Sequence, residues 1–282
     1  MPRNSKSVKR ASQRLGHFAV AMCMMWAAAC KSGASGPEAE PSPEAVLPLL
    51  AQADEFYKKR EDLAQLRAAI AALRRARTID YSNYEAAWKL AKFNYYLGEH
   101  TTDKEERDAA FREGIQAGEI AVRLQPDRPE GHFWLGANLG GRAEAQGALA
   151  GLTSVDDIRR EMEAVIRIDE SYQAGSAYMV LGQVEMKLPG MLGGNRKRAV
   201  ELMERGLQFG AGNAFLRLRL AEAYLAAKRP DDARKQLNAI LEMTPDPDYL
   251  PEYKEAAAEA RRLLDEKLNA RQGASKGTTT TP

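Results

Sequence analysis

The residues that could do chemistry are few. Three histidines and two cysteines occur in 282 residues. No His-Glu-x-x-His pair and no spaced Cys/His set is present, so the side chains do not suit a transition metal. The stretch Gly190-Met-Leu-Gly-Gly-Asn-Arg-Lys197 has the glycines of a phosphate cradle. It lacks the G-x-x-x-x-G-K-[ST] spacing and a preceding strand, and reads as a turn between two helices. Paired acids such as Asp156/Asp157, Asp231/Asp232 and Glu105/Glu106 stand where helices would begin. There they complement the helix dipole and need no catalytic role. With no Gly-x-Ser-x-Gly elbow and no Cys–His couple, the reading is of a protein that is not an enzyme, with no cofactor and no metal.

The cysteines point to an address. Arg3, Lys6, Lys9, Arg10 and Arg14 precede any acid, and Leu15 to Ala29 runs without a formal charge. At about 1.5 Å per residue that run is too short for a comfortable membrane-spanning helix and suits an export signal. Ala27-Ala28-Ala29-Cys30, followed by Lys31-Ser32-Gly33, resembles the lipobox of bacterial lipoproteins, with Ala27 where leucine is usual. The resemblance implies a signal peptide over 1–29, lipid on Cys30 and an outer-membrane location facing the periplasm. Ala27 and Ala29 also satisfy ordinary signal cleavage, and an acid-free leader resembles an organellar transit peptide, so both alternatives stay open. Loss of five cations and no acid turns the net charge from +2 to −3. That removes the basic excess on which nucleic-acid binding depends.

Helices must position whatever remains. Residues 30–43 read as a flexible tether and 272–282 as a disordered tail. Between them, over 44–271, helical blocks alternate and turn segments recur at Tyr81, Pro126, Glu170, Ala211 and Pro245. Each of the first four is followed by a helix with a bulky-then-small pattern: Trp88 to Tyr95, Leu135-Gly136, Leu181-Gly182, and Leu220-Ala221 with Tyr224. The small residue lets a paired helix approach closely. These motifs resemble tetratricopeptide repeats. The fold expected is an all-α, tetratricopeptide-type α-solenoid of about five helical hairpins, closed by a capping helix over 250–270. Thr102 with Glu105, and Ser154 with Asp157, read as capping boxes.

With the lipobox, Gly131 to Gly140 and Leu188 to Gly194, the chain resembles the T component of TRAP transporters, a family of periplasmic tetratricopeptide lipoproteins. The same segments resemble the regulator of microtubule dynamics family. Neither resemblance implies an enzyme. The first implies a periplasmic substrate-binding protein as partner, and membrane attachment only through lipid.

Repeat offsets then nominate a concave groove for a protein partner or a hydrophobic small ligand. Its residues are Lys89, Phe93, Tyr96, Trp134, Ala137, Met179, Gln183, Met186, Arg219 and Glu222, with Trp88 and Tyr95 assigned to the core. Phe93 stands where a carboxylate-binding groove would need asparagine, so C-terminal peptide recognition is not expected. Leu188, Met191 and Leu192 in the glycine loop either pack beneath it or grip a partner. His132 reads as a packed helix residue and His100 as solvated. The alternatives are an assembly lipoprotein that docks by its convex face, or an organellar adaptor.

Overall fold

The computed structural model describes residues 43–147 and 151–269. The expected signal, Cys30 and most of the tether and tail lie outside the described residues. Among the described residues eleven α-helices follow one another: α1 (Val46–Tyr57), α2 (Leu63–Ile79), α3 (Tyr84–His100), α4 (Lys104–Leu124), α5 (Pro129–Gln146), α6 (Val155–Ile168), α7 (Ser176–Lys187), α8 (Arg196–Leu207), α9 (Ala214–Ala226), α10 (Pro230–Glu242) and α11 (Leu250–Leu263). A π-helical turn, Leu264–Asn269, extends α11.

Local chemistry sets the boundaries. Asp62, Asn83, Asp103, Asn195 and Asn213 stand one residue before a helix and accept from its first free N–H groups. Pro129, Pro230 and Pro251 occupy first-turn positions, where a missing N–H costs nothing. Two capping expectations are corrected. Asp103, one residue beyond Thr102, caps α4 through Glu105 and Glu106 N–H. Ser154 is already helical and makes no capping bond, because a 3-10 turn over Leu152–Ser154 leads directly into α6.

Helices pair as α1/α2, α3/α4, α5/α6, α7/α8 and α9/α10, and α11 packs on α9 and α10. Small residues permit the close pairs. A Cβ at Gly136 would stand 2.3 Å from Met162 on α6, and one at Gly182 would stand 2.8 Å from Met203 on α8. Among the described residues the apolar interior forms two clusters, one from α1 to α7 and one from α7 to the π-helical turn after α11. At that division the α6–α7 link takes a left-handed path through Gln173 (φ 49°), Ala174 (φ 50°) and Gly175 (φ 73°).

The array curls until its end meets its beginning. Arg60, after α1, donates to both Glu252 carboxylate oxygens at 3.0 and 2.7 Å, and to the Asp248 carbonyl at 2.6 Å. Lys254 pairs with Glu61, and His100 with Glu255. The sequence reading had α11 only as a polar cap. Here it also bonds to the first hairpin.

Candidate functional site

The nominated strip divides. On α3, Lys89, Phe93 and Tyr96 are buried against α1 and do not line a groove. Lys89 pairs with Asp54 and Glu85 at 2.7 and 2.6 Å. Phe93 stacks on Tyr57 with ring centres 4.0 Å apart, and Tyr96 meets the same ring edge-on. The reason is register. The bulky–small pair of this helix is Leu97-Gly98, where a Cβ would stand 2.5 Å from Phe111 on α4. Counting from that pair instead of from Trp88 rotates the helix. It turns Tyr95 and Glu99 away from the α1 contact and leaves Lys92 at its edge, over the Tyr57 ring, and the Leu97-Gly98 signal is present in the sequence.

Trp134 and Ala137 on α5 are buried as well. Trp134 lies against Tyr95, with centroids 5.8 Å apart, and against its neighbour Phe133. Phe133 in turn meets Tyr172 beyond α6. The aromatic residues expected to greet a partner thus join consecutive hairpins. Met179, Gln183 and Met186 on α7 are half-buried, with both methionines against the second cluster. Arg219 and Glu222 on α9 pair with each other at 3.0 Å and stay one-third exposed. Leu188 is half-buried, whereas Met191 and Leu192 project outward, Met191 with 92% of its surface open.

A different set of polar groups converges. Lys92 holds its ammonium 4.8 Å from the Tyr57 ring centre and 5.6 Å from that of Trp134. Burial, with Arg60 and Lys89 nearby, lowers its pKa to about 8. Glu99, one helical turn beyond Tyr95, is exposed, yet surrounding protein and the Glu144 charge push its pKa up. Glu144 on α5 pairs with Lys187 on α7. Tyr95 and Glu99 both lie within electrostatic reach of Arg219 on α9, and Tyr95 also of Glu255 on α11. First helices of successive hairpins, with α11, therefore border a trough on which Glu99, Glu144 and Glu255 stand against Lys92, Lys187 and Arg219. At its far end a cavity of about 360 Å³ is lined by Glu222, Leu225, Ala226, Leu263 and Lys267.

Neither histidine of this region is free. His132 hydrogen-bonds Glu161 at 2.6 Å and the Pro126 carbonyl at 2.9 Å. His100, expected in solvent, stacks on Tyr96 and reaches Glu255 at 2.9 Å. Among the described residues no cluster of three His, Cys, Asp or Glu is placed to hold a metal ion. Nor is any described helix long and apolar enough to cross a membrane.

The model of the family described as regulator of microtubule dynamics protein 1-3 matches residues 49–205, more than half of the chain. The chain belongs to that family. A tetratricopeptide-repeat model matches residues 191–260, which carries the repeat through the last hairpin and into α11. Comparison with curated proteins gives no match. Among solved structures, a thermophilic tetratricopeptide protein of Thermus thermophilus superposes with a TM-score of 0.55 at 21% identity, covering 75% of this chain and 98% of that one. PilF of Pseudomonas aeruginosa superposes with a TM-score of 0.50 at 15% identity, covering 83% of this chain and 98% of that one. At these identities the likeness is one of fold, and the fold is the tetratricopeptide solenoid. Of the two families resembled at the outset, the match falls on the regulators of microtubule dynamics.

Proposed function

We propose that this chain is a non-catalytic tetratricopeptide adaptor, held at a bacterial envelope membrane by lipid on Cys30, that receives a segment of a protein partner in its trough. One observation carries the binding part. Lys92, Tyr95, Glu99, Glu144, Lys187, Arg219 and Glu255, from five helices, face or border one accessible trough. Concave faces of helical solenoids are extended binding surfaces, and polar groups spaced along them fix the register of a bound segment. A lining of alternating acids and cations suits a charged polypeptide segment better than an apolar small ligand. The anchor and the periplasmic location rest on the basic head, the short apolar run and the Ala-Ala-Cys exit. A periplasmic substrate-binding protein is one partner that would meet the chain there.

A second reading, docking through the α7–α8 loop, is favoured by the open Met191 and Leu192 side chains. Site-specific photocrosslinking in cells separates the two. A crosslinker at Tyr95 or Glu99 should trap one discrete partner, and Glu99→Lys should abolish the product without changing the circular dichroism. A product obtained only from Met191 would overturn the trough. For the address, mass spectrometry should find acylated Cys30 as the mature N-terminus; a free Cys30 thiol would refute the anchor.

A further inference from the structure

A second site lies between hairpins, apart from the trough. Arg159 and Glu163 on α6, Leu181 and Glu185 on α7, and Arg198 and Leu202 on α8 are three pairs one helical turn apart. With Gly193 and Asn195 of the glycine loop they line a cavity of about 390 Å³. That volume falls in the range of specific small-ligand sites. Glu185 and Leu181 occupy the side of α7 turned away from Met179 and Gln183.

Only part of the charge in this cavity is paired off. Arg159 donates to one Glu185 oxygen at 3.0 Å. The other, Oε2, is buried with no hydrogen-bond partner, and Glu185 as a whole is only 7% exposed. Glu163 and Arg198 line the same space, and among the described residues neither side chain enters an ion pair. The earlier second helices, α2 and α4, differ. There Arg67 and Arg74 reach across to Glu106 and Glu113, each through two hydrogen bonds. A carboxylate oxygen withdrawn from water without a donor gains nothing in return, so it is poised for a donor brought from outside.

We propose that this cavity binds an arginine side chain of a partner polypeptide. A guanidinium carries five N–H donors in a rigid plane, enough to reach Glu185 Oε2 and Glu163 together. Its aliphatic stem would lie on Leu181 and Leu202, and Arg198 at the rim would receive an acidic neighbour in the same segment. This site stands independently of the trough.

The test titrates the full chain with acetyl-Gly-Arg-Gly-amide, following the Leu181 and Leu202 methyl resonances. The citrulline peptide, of the same shape without charge, and the lysine peptide serve as comparisons. Saturable shifts with arginine, and at least about tenfold weaker binding of citrulline and lysine, are expected. Glu185→Gln should weaken the arginine peptide about tenfold and Glu163→Gln about threefold. Because Glu163 is exposed and unpaired, Glu163→Gln keeps the test informative even where loss of the Arg159 pair harms folding. Tyr95→Ala should leave the titration unchanged, which separates this site from the trough. Absence of saturable shifts, equal response to citrulline or lysine, or indifference to Glu163→Gln would overturn the proposal.

Discussion

The Phe111 ring lies between two glycines, so that a Cβ at either Gly98 or Gly141 would stand 2.5 Å from it. A ring enclosed in this way, only 1% exposed, cannot swing aside. Gly98→Ala should therefore cost about 1–3 kcal/mol, read as a lower midpoint in urea unfolding. Ala174 presents the opposite case. Its φ of 50° is one that an L side chain resists. Ala174→Gly should raise stability by about 1 kcal/mol in the same measurement. The histidines give a signed pH effect. The Glu161 bond raises the His132 pKa against burial. For His100 burial opposes charge, but the Glu255 and Tyr96 bonds outweigh it and the pKa again rises. Stability from both is complete below the ordinary imidazole value and is lost as pH climbs through the raised folded values. Melting temperature should fall between about pH 6 and about pH 8. The double variant His100→Gln/His132→Gln should flatten that slope.

Individual helices are well marked in the sequence, since Asp, Asn and Pro punctuate them and bulky–small pairs label the first helix of every hairpin after the first. The rotation of α3 is ambiguous in the sequence, because Trp88 stands near the position where the repeat places a tryptophan while Leu97-Gly98 sets a different register. A shift of that kind reassigns a whole stripe: Phe93 and Tyr96 fall into the α1 contact, while Tyr95 and Glu99 take the other side. The α4 cap was misplaced by one residue for a similar reason, Thr102 and Asp103 both being cap formers. Asp103→Ala should cost about 1 kcal/mol and increase amide exchange in the first turn of α4, whereas Thr102→Ala should leave that exchange unchanged. The cavity between α6 and α8 was invisible in sequence, because an unsatisfied oxygen on Glu185 depends on what neighbouring helices fail to supply.

For the whole molecule, repeat spacing revealed stacking but not closure. Repeat offsets describe neighbours, and contacts between the first hairpin and α11 are set by summed curvature. Arg60 and Glu252 are separated by 192 positions, and the Arg60 side chain is 6% exposed. Its guanidinium also lies 4.8 Å from the centre of Tyr57 and 5.5 Å from that of Tyr96. Arg60→Ala should cost about 2–3 kcal/mol, since it strips a partly buried carboxylate of its partner. Hydrogen exchange should quicken in α1 and α11 alike. Faster exchange at one end alone would argue against closure.

This junction also imposes an order on biosynthesis. Arg60 leaves the ribosome well before Asp248 and Glu252, which follow it by 188 and 192 residues. Until then the guanidinium must stay hydrated, and the N-terminal hairpin cannot acquire its final environment. A stop codon just before Pro247 would remove α11 with its flanking turns, yet the damage would surface at the amino end of the domain.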